Sequence, residues 1–100
     1  MKYYKYKRYK VRIQLGKYPN CRLALELRTK NSEPVCVATV NIPGEALLPG
    51  EIIIKNWGEN EGILKWLQSQ GIISAPKRKF SIGAGFTYAY VVDLLKTDFE

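Results

Sequence analysis

From Arg8 to Leu15 apolar and polar side chains alternate without a break. Tyr9, Val11, Ile13 and Leu15 fall on one side, Arg8, Lys10, Arg12 and Gln14 on the other. A period of two is the signature of an extended strand with one face buried, since a helix would scatter the same residues around its circumference. Gly16-Lys17-Tyr18-Pro19-Asn20 then supplies turn chemistry. Leu23, Leu25 and Leu27 alternate with Arg22, Ala24, Glu26 and Arg28, which predicts a second strand. The short connection makes the two an antiparallel hairpin.

Lys30 to Pro34 reads as the next turn and Val35 to Ile42 as a third strand, ending at Pro43-Gly44. Pro43 to Gly50 is a loop, with Leu47 and Leu48 available to pin it to the core. Ile52-Ile53-Ile54 is a fourth strand, an apolar run that suits cover on both faces. The period then changes: Ile63, Leu64 and Leu67, with Trp66 beside them, make a stripe at helical spacing. Gly58 serves as N-cap, Glu59 and Glu61 complement the helix dipole, and Glu61 with Lys65 forms an i,i+4 pair. Gly62 weakens the helix, and Gly71 ends it at Gln70, after which Ile72 and Ile73 return to the core. Ala75 to Gly85 is a basic, glycine-bearing loop, and Phe86 to Leu95 the last strand.

One hundred residues make one domain, 1–100, with 1–7 and 96–100 frayed. The expected fold is α+β: a single antiparallel sheet of about five strands with one helix packed on one face. The order is four strands, the helix, then a fifth strand; a small closed barrel is the alternative. The expected core is Val11, Ile13, Leu15, Leu23, Leu25, Leu27, Val37, Ile53, Leu64, Leu67, Tyr90 and Val92, where Val37 and Ile53 depend on which strand face turns inward.

Histidine is absent, which removes Ser-His-Asp and Cys-His catalysis, histidine-ligated metals and a histidine pH switch. Cys21 and Cys36 are too few for a four-cysteine cluster and lack redox-pair spacing. They are expected to be unbridged, small, apolar core residues, a Cys21–Cys36 bridge being the alternative. Ile82-Gly83-Ala84-Gly85 completes no phosphate-loop pattern and precedes a strand, so it reads as a turn or bulge. Glu59 and Glu61 point in different directions and read as helix-start acids rather than an acid/base pair. Trp57 and Trp66 read as anchors between helix and sheet. No cofactor, no metal and no enzymatic activity are expected.

Charge is the remaining signal. The net charge of +7 divides into +9 over residues 1–30, −3 over 31–75 and +1 over 76–100. The longest apolar run, Tyr88 to Val92, is too short to span a membrane, and no apolar stretch backs the basic N-terminus as a secretion signal requires. A cytoplasmic protein with no membrane partner is expected. Lys2, Lys5, Lys7, Arg8, Lys10 and Arg12 are interleaved with Tyr3, Tyr4, Tyr6 and Tyr9, and Lys77, Arg78 and Lys79 form a second basic cluster. Cations pair with phosphates and tyrosine rings stack on bases, so the candidate polyanion-binding set is Lys5, Lys7, Arg8, Lys10, Arg12, Tyr4, Tyr6, Lys77, Arg78 and Lys79. The same composition also describes an edge strand kept soluble by its lysines.

The stretch from Thr39 to Ile73 has a distinctive pattern: the Asn41-Ile42-Pro43-Gly44 corner, an apolar strand ending in Lys55-Asn56, and a Glu59-Asn60-Glu61-Gly62 helix start. With the preceding strands it resembles a family of small bacterial proteins of unknown function, encoded on plasmids and conjugative elements. In that family a serine commonly stands where this chain has Gly58, so a capping box with Glu61 is lost here. The resemblance implies a mobile-element setting and no particular activity. The favoured expectation is a non-enzymatic accessory protein of a mobile genetic element that binds DNA or RNA without sequence-specific readout. The alternative is a protein-binding inhibitor of a host defence system, acting on a bacterial protein target through a basic face. The opposed charges of the first and middle thirds also suit head-to-tail self-association into a homo-oligomer.

Overall fold

The computed structural model describes residues 2–83 and 87–99. Seven strands form two antiparallel sheets. The first holds β1 (Tyr4–Tyr6), β2 (Tyr9–Lys17), β3 (Leu23–Thr29) and β4 (Pro34–Val37) in the order β1-β2-β3-β4. The second holds β5 (Glu51–Lys55), β6 (Arg78–Ile82) and β7 (Thr87–Asp93) in the order β5-β7-β6. One helix, α1 (Ile63–Ser69), lies between β5 and β6 in sequence. The class is α+β as the patterning predicts, but two sheets of four and three strands replace the single sheet of about five.

The β2–β3 hairpin follows the alternation, pairing Val11 with Thr29 through to Lys17 with Leu23. Val11, Ile13, Leu25 and Leu27 are buried, and Leu15 and Leu23 pack half-buried against them. The division into two sheets happens where one long third strand was expected. Only Pro34–Val37 pairs with β3, across a bulge at Leu27/Arg28. The Ala38 amide still donates to the Leu25 carbonyl, while the Ala38 carbonyl accepts from the Lys55 amide on β5. Thr39 bridges Ile54, and the Val40 amide donates to Ile53. Residues 38–40 thus hand the ladder from one sheet to the other. The switch turns Val37 outward, 42% exposed, which corrects its place in the expected core.

β5 has both faces covered. Ile52 and Ile54 join the main core with α1, whereas Ile53 packs with Ala89 and Val91 in a second cluster roofed by Val40, Ile42, Leu47 and Trp57. Leu47 pins the loop as expected; Leu48 is exposed. Tyr90 is half-buried against the main core, and Val92 is within it.

The helix starts later than its composition suggests. Gly58–Asn60 forms a 3-10 turn, the chain turns at Glu61, and Gly62, at φ 89, is the N-cap of α1. The Asn56 Oδ1 accepts the Leu64 amide at 3.0 Å, the service an N-cap side chain usually performs. The described ion pairs join Lys55 to Glu59 at 2.6 Å; the expected Glu61–Lys65 pair is not among them. At the other end Gly71, at φ 71, donates to Gln68 and Ile72 donates to Leu67, the two bonds of a Schellman motif. Ile63, Leu64, Leu67, Ile72 and Ile73 are buried.

Three expected irregular regions are ordered. Tyr4–Tyr6 pairs with Tyr9–Val11 rather than fraying, and Arg78–Ile82 is a strand rather than a loop. Phe99 is 6% exposed and belongs to the main core, and its carbonyl accepts the Lys2 amide. Cys36 is half-buried, but Cys21 is exposed at a turn with φ 68, so it is no core residue; the two are unbridged. The residues Ala84 and Gly85 of the expected turn and Phe86 of the expected last strand lie outside the described residues. No helix among the described residues is long and apolar enough to cross a membrane.

Candidate nucleic-acid interface

The basic alternation of β2 becomes a surface through its pairing with β1. Lys5 stands directly opposite Lys10, and on the other flank Arg12 stands directly opposite Arg28. Lys5, Arg8 and Lys10 are exposed and Arg12 is half-buried, as the outward face predicts. Like charges directly opposed across a ladder are unfavourable unless another charge intervenes. Arg28 has one, with Glu26 Oε2 2.7 Å from its guanidinium. Arg12 is held by neutral groups, donating to Ser32 Oγ at 2.6 Å and to Gln14 Oε1 at 3.2 Å. Among the described residues, Lys5, Lys7, Arg8 and Lys10 take part in no ion pair.

The aromatic half of the expectation needs correction. Tyr4 is half-buried and Tyr6 only 3% exposed, both turned against Trp66, with ring centroids at 6.2 and 4.9 Å. The Trp66 Nε1 donates to the Lys5 carbonyl at 2.8 Å, so these aromatics fasten the hairpin to α1. The rings presented to solvent are Tyr3 and Tyr9, at 40% and 38% exposure. Lys10 Nζ lies 5.1 Å from the Tyr3 ring centre, and the Arg8 guanidinium carbon 5.6 Å from that of Tyr9. Sequence reasoning missed this exchange because strand parity within 1–7 is invisible until Tyr6 is paired with Tyr9.

The second basic cluster lies at β6, in the other sheet, and two of its cations are paired with acids. The Glu51 side chain is wholly buried, with Lys77 Nζ at 2.8 Å and Arg78 Nη1 at 3.2 Å from its Oε2. Lys77 also reaches Asp93 at 3.2 Å, and Arg78 reaches the Ala46 carbonyl at 2.7 Å. Lys79 alone of the three has no ion pair among the described residues, its Nζ 4.5 Å from the Tyr88 ring centre. β1 and β6 end the orders of different sheets, and among the described residues no hydrogen bond or ion pair links the two strands. Lys77 and Arg78 are structural cations.

The β1–β2 turn consists of Lys7 and Arg8, between the paired Tyr6 and Tyr9. Lys7 sits at φ 53, a left-handed conformation that a lysine adopts only at a cost in energy. Beneath the turn lies a cleft of about 530 Å³ whose lining includes Tyr6, Val35 of β4 and Cys36. The Tyr6 hydroxyl is shut away from water with no hydrogen-bond partner, a deficit that costs about 1–3 kcal/mol. Burial first, then the neighbouring Cys36 and Glu59, raises the Tyr6 phenol above its ordinary range. Burial likewise pushes the Cys36 thiol up to about 11, so it is held as an unreactive thiol near neutral pH.

Compared with family models, curated proteins and solved structures, the chain matches none. Among the described residues no group of three or more cysteine or acidic side chains is placed to hold a metal ion. The groups presented at the hairpin are cations and tyrosine rings.

Proposed function

We propose that this chain is a non-enzymatic accessory protein of a mobile genetic element, which binds nucleic acid through the outward face of the β1–β2 hairpin. The observation that carries the binding is the Lys5–Lys10 pair, two cations opposed across the ladder and without an ion pair among the described residues. A phosphate backbone supplies the missing counter-charge, and Arg8 with the exposed Tyr3 ring beside Lys10 extends the contact. The mobile-element setting rests on the resemblance over Thr39 to Ile73. Readout is of phosphate rather than base sequence, because α1 turns Ile63, Leu64 and Leu67 into the core and is too short to serve as a recognition helix.

The test is binding of duplex and single-stranded DNA and RNA as a function of salt. Engaging about four phosphates on a duplex gives a log–log salt slope of roughly −3.6. Changing Lys5, Arg8 and Lys10 together to glutamine is expected to flatten that slope and weaken binding more than tenfold at low salt. Folding should be retained or improved, because a like-charge pair has been removed. Lys65→Gln, which removes a positive charge from α1 instead, is the control. Unchanged binding by the triple variant, or no binding by wild type at low salt, sinks the proposal. A stoichiometric protein captured from host lysate despite nuclease would then favour the inhibitor.

A further inference from the structure

The cleft beneath the β1–β2 turn adjoins the proposed phosphate-binding face and shares Arg8 with it. Its rim carries Lys7 and Arg8, its walls are Tyr9, Val35 and Cys36, and it encloses about 530 Å³. Tyr6 lines it too, with its hydroxyl closed off from water. Cys36 and Glu59 line the same cleft. The one acid on the rim, Glu59, has Oε1 held by Lys55 at 2.6 Å, which leaves the mouth cationic. Walls of low polarity, a buried group lacking its hydrogen bond and two cations at the entrance call for a flat, apolar ligand with a polar edge and an attached anion.

We propose that the cleft takes a nucleobase, with its phosphate held by Lys7 and Arg8 and its polar edge completing the hydrogen bond of the Tyr6 hydroxyl, which the base uncovers as it enters. The inference rests on the nucleic-acid reading above and deepens it, making the preferred ligand single-stranded. Bases inside a duplex are paired and stacked, and enter such a cleft only after extrusion. The strained backbone at Lys7 fits this role, since it seats two adjacent cations over one opening. A base of a strand and a free nucleotide share this chemistry.

Three probes at one low salt concentration separate the outcomes: a short oligothymidylate, the same strand built of abasic sites, and a duplex of equal length. Wild type is expected to bind the oligothymidylate about tenfold more tightly than the abasic strand, the increment of one well-stacked base. Tyr6→Phe removes only the hydroxyl and keeps the ring in the core; it is expected to lower that ratio about fivefold. Val35→Phe fills the cleft from β4 and should abolish the preference without touching the Tyr6 core contacts. Thymidine monophosphate, followed by the Tyr6 ring signals in NMR, identifies the source: shifts show that a free nucleotide suffices, and shifts with the oligonucleotide alone assign the site to strands. Equal affinity for the thymidine and abasic strands overturns the cleft, as does an unchanged ratio in both variants. In those cases persisting abasic and duplex binding leaves the hairpin reading standing, whereas loss of binding to all three probes in wild type removes both.

Discussion

A carboxylate with no exposed side-chain surface either gives up its charge or surrounds itself with donors. Glu51 takes the second course, accepting from Lys77, from the Leu48 amide at 2.8 Å and from Arg78. These bonds outweigh desolvation and lower its pKa from 4.5 to about 2. Because the folded value lies below the unfolded one, the native state releases this proton more readily. The resulting stabilisation is complete above pH 4.5 and disappears as pH falls toward about 2. Glu51→Gln is therefore expected to lower the melting temperature at pH 7 and to flatten its fall between pH 4.5 and 2. Thermal unfolding across that range decides it, and a variant curve parallel to wild type would refute the assignment. Glu51 also shows what one sequence hides: Lys77-Arg78-Lys79 reads as a cationic patch until strand pairing reveals a buried acid beside two of them.

At the scale of elements, Gly62 separates two readings of one residue. As an interior helical glycine it would cost stability, and alanine would restore about 1 kcal/mol. As the left-handed N-cap at φ 89 with open space around its Cα, it resists any side chain through its backbone alone. Gly62→Ala is thus expected to destabilise the fold by about 1–2 kcal/mol; a gain in a urea titration would show that the 3-10 turn and α1 are one continuous helix. The elements legible in the sequence were β2, β3 and β7 from their alternation, β5 from its apolar run, and the α1 stripe with its Gly71 stop. β6 also alternates, with Phe80 and Ile82 half-buried, but Arg78 holds an inward position and breaks the pattern to the eye. The segment 35–42 looks like one strand because bonding on two flanks leaves no mark on side-chain chemistry. For the candidate site, the exposed cations of β2 were readable from alternation, whereas the inward turn of Tyr4 and Tyr6 and the Lys5–Lys10 opposition required the register.

For the whole molecule, the two ends of the chain hold each other. Phe99 inserts into the main core, its carbonyl accepts the Lys2 amide, and the Leu95 amide donates to Ile72. Phe99→Ala is expected to cost about 3 kcal/mol by chemical denaturation; a loss below about 1 kcal/mol would mean that the end is loose. The order of the second sheet has a consequence during synthesis. Its central strand, β7, is made last, and both β5 and β6 use it as their main ladder partner. While the chain emerges from the ribosome, Ile52-Ile53-Ile54 and Phe80 wait with open edges, the former relieved only by the short contact with residues 38–40. Glu51 and Lys55 flank the first waiting segment, and Arg78 and Lys79 precede the second. Charges at such positions act as gatekeepers against association between nascent chains, so cations that read as nucleic-acid ligands protect the protein before it has finished folding.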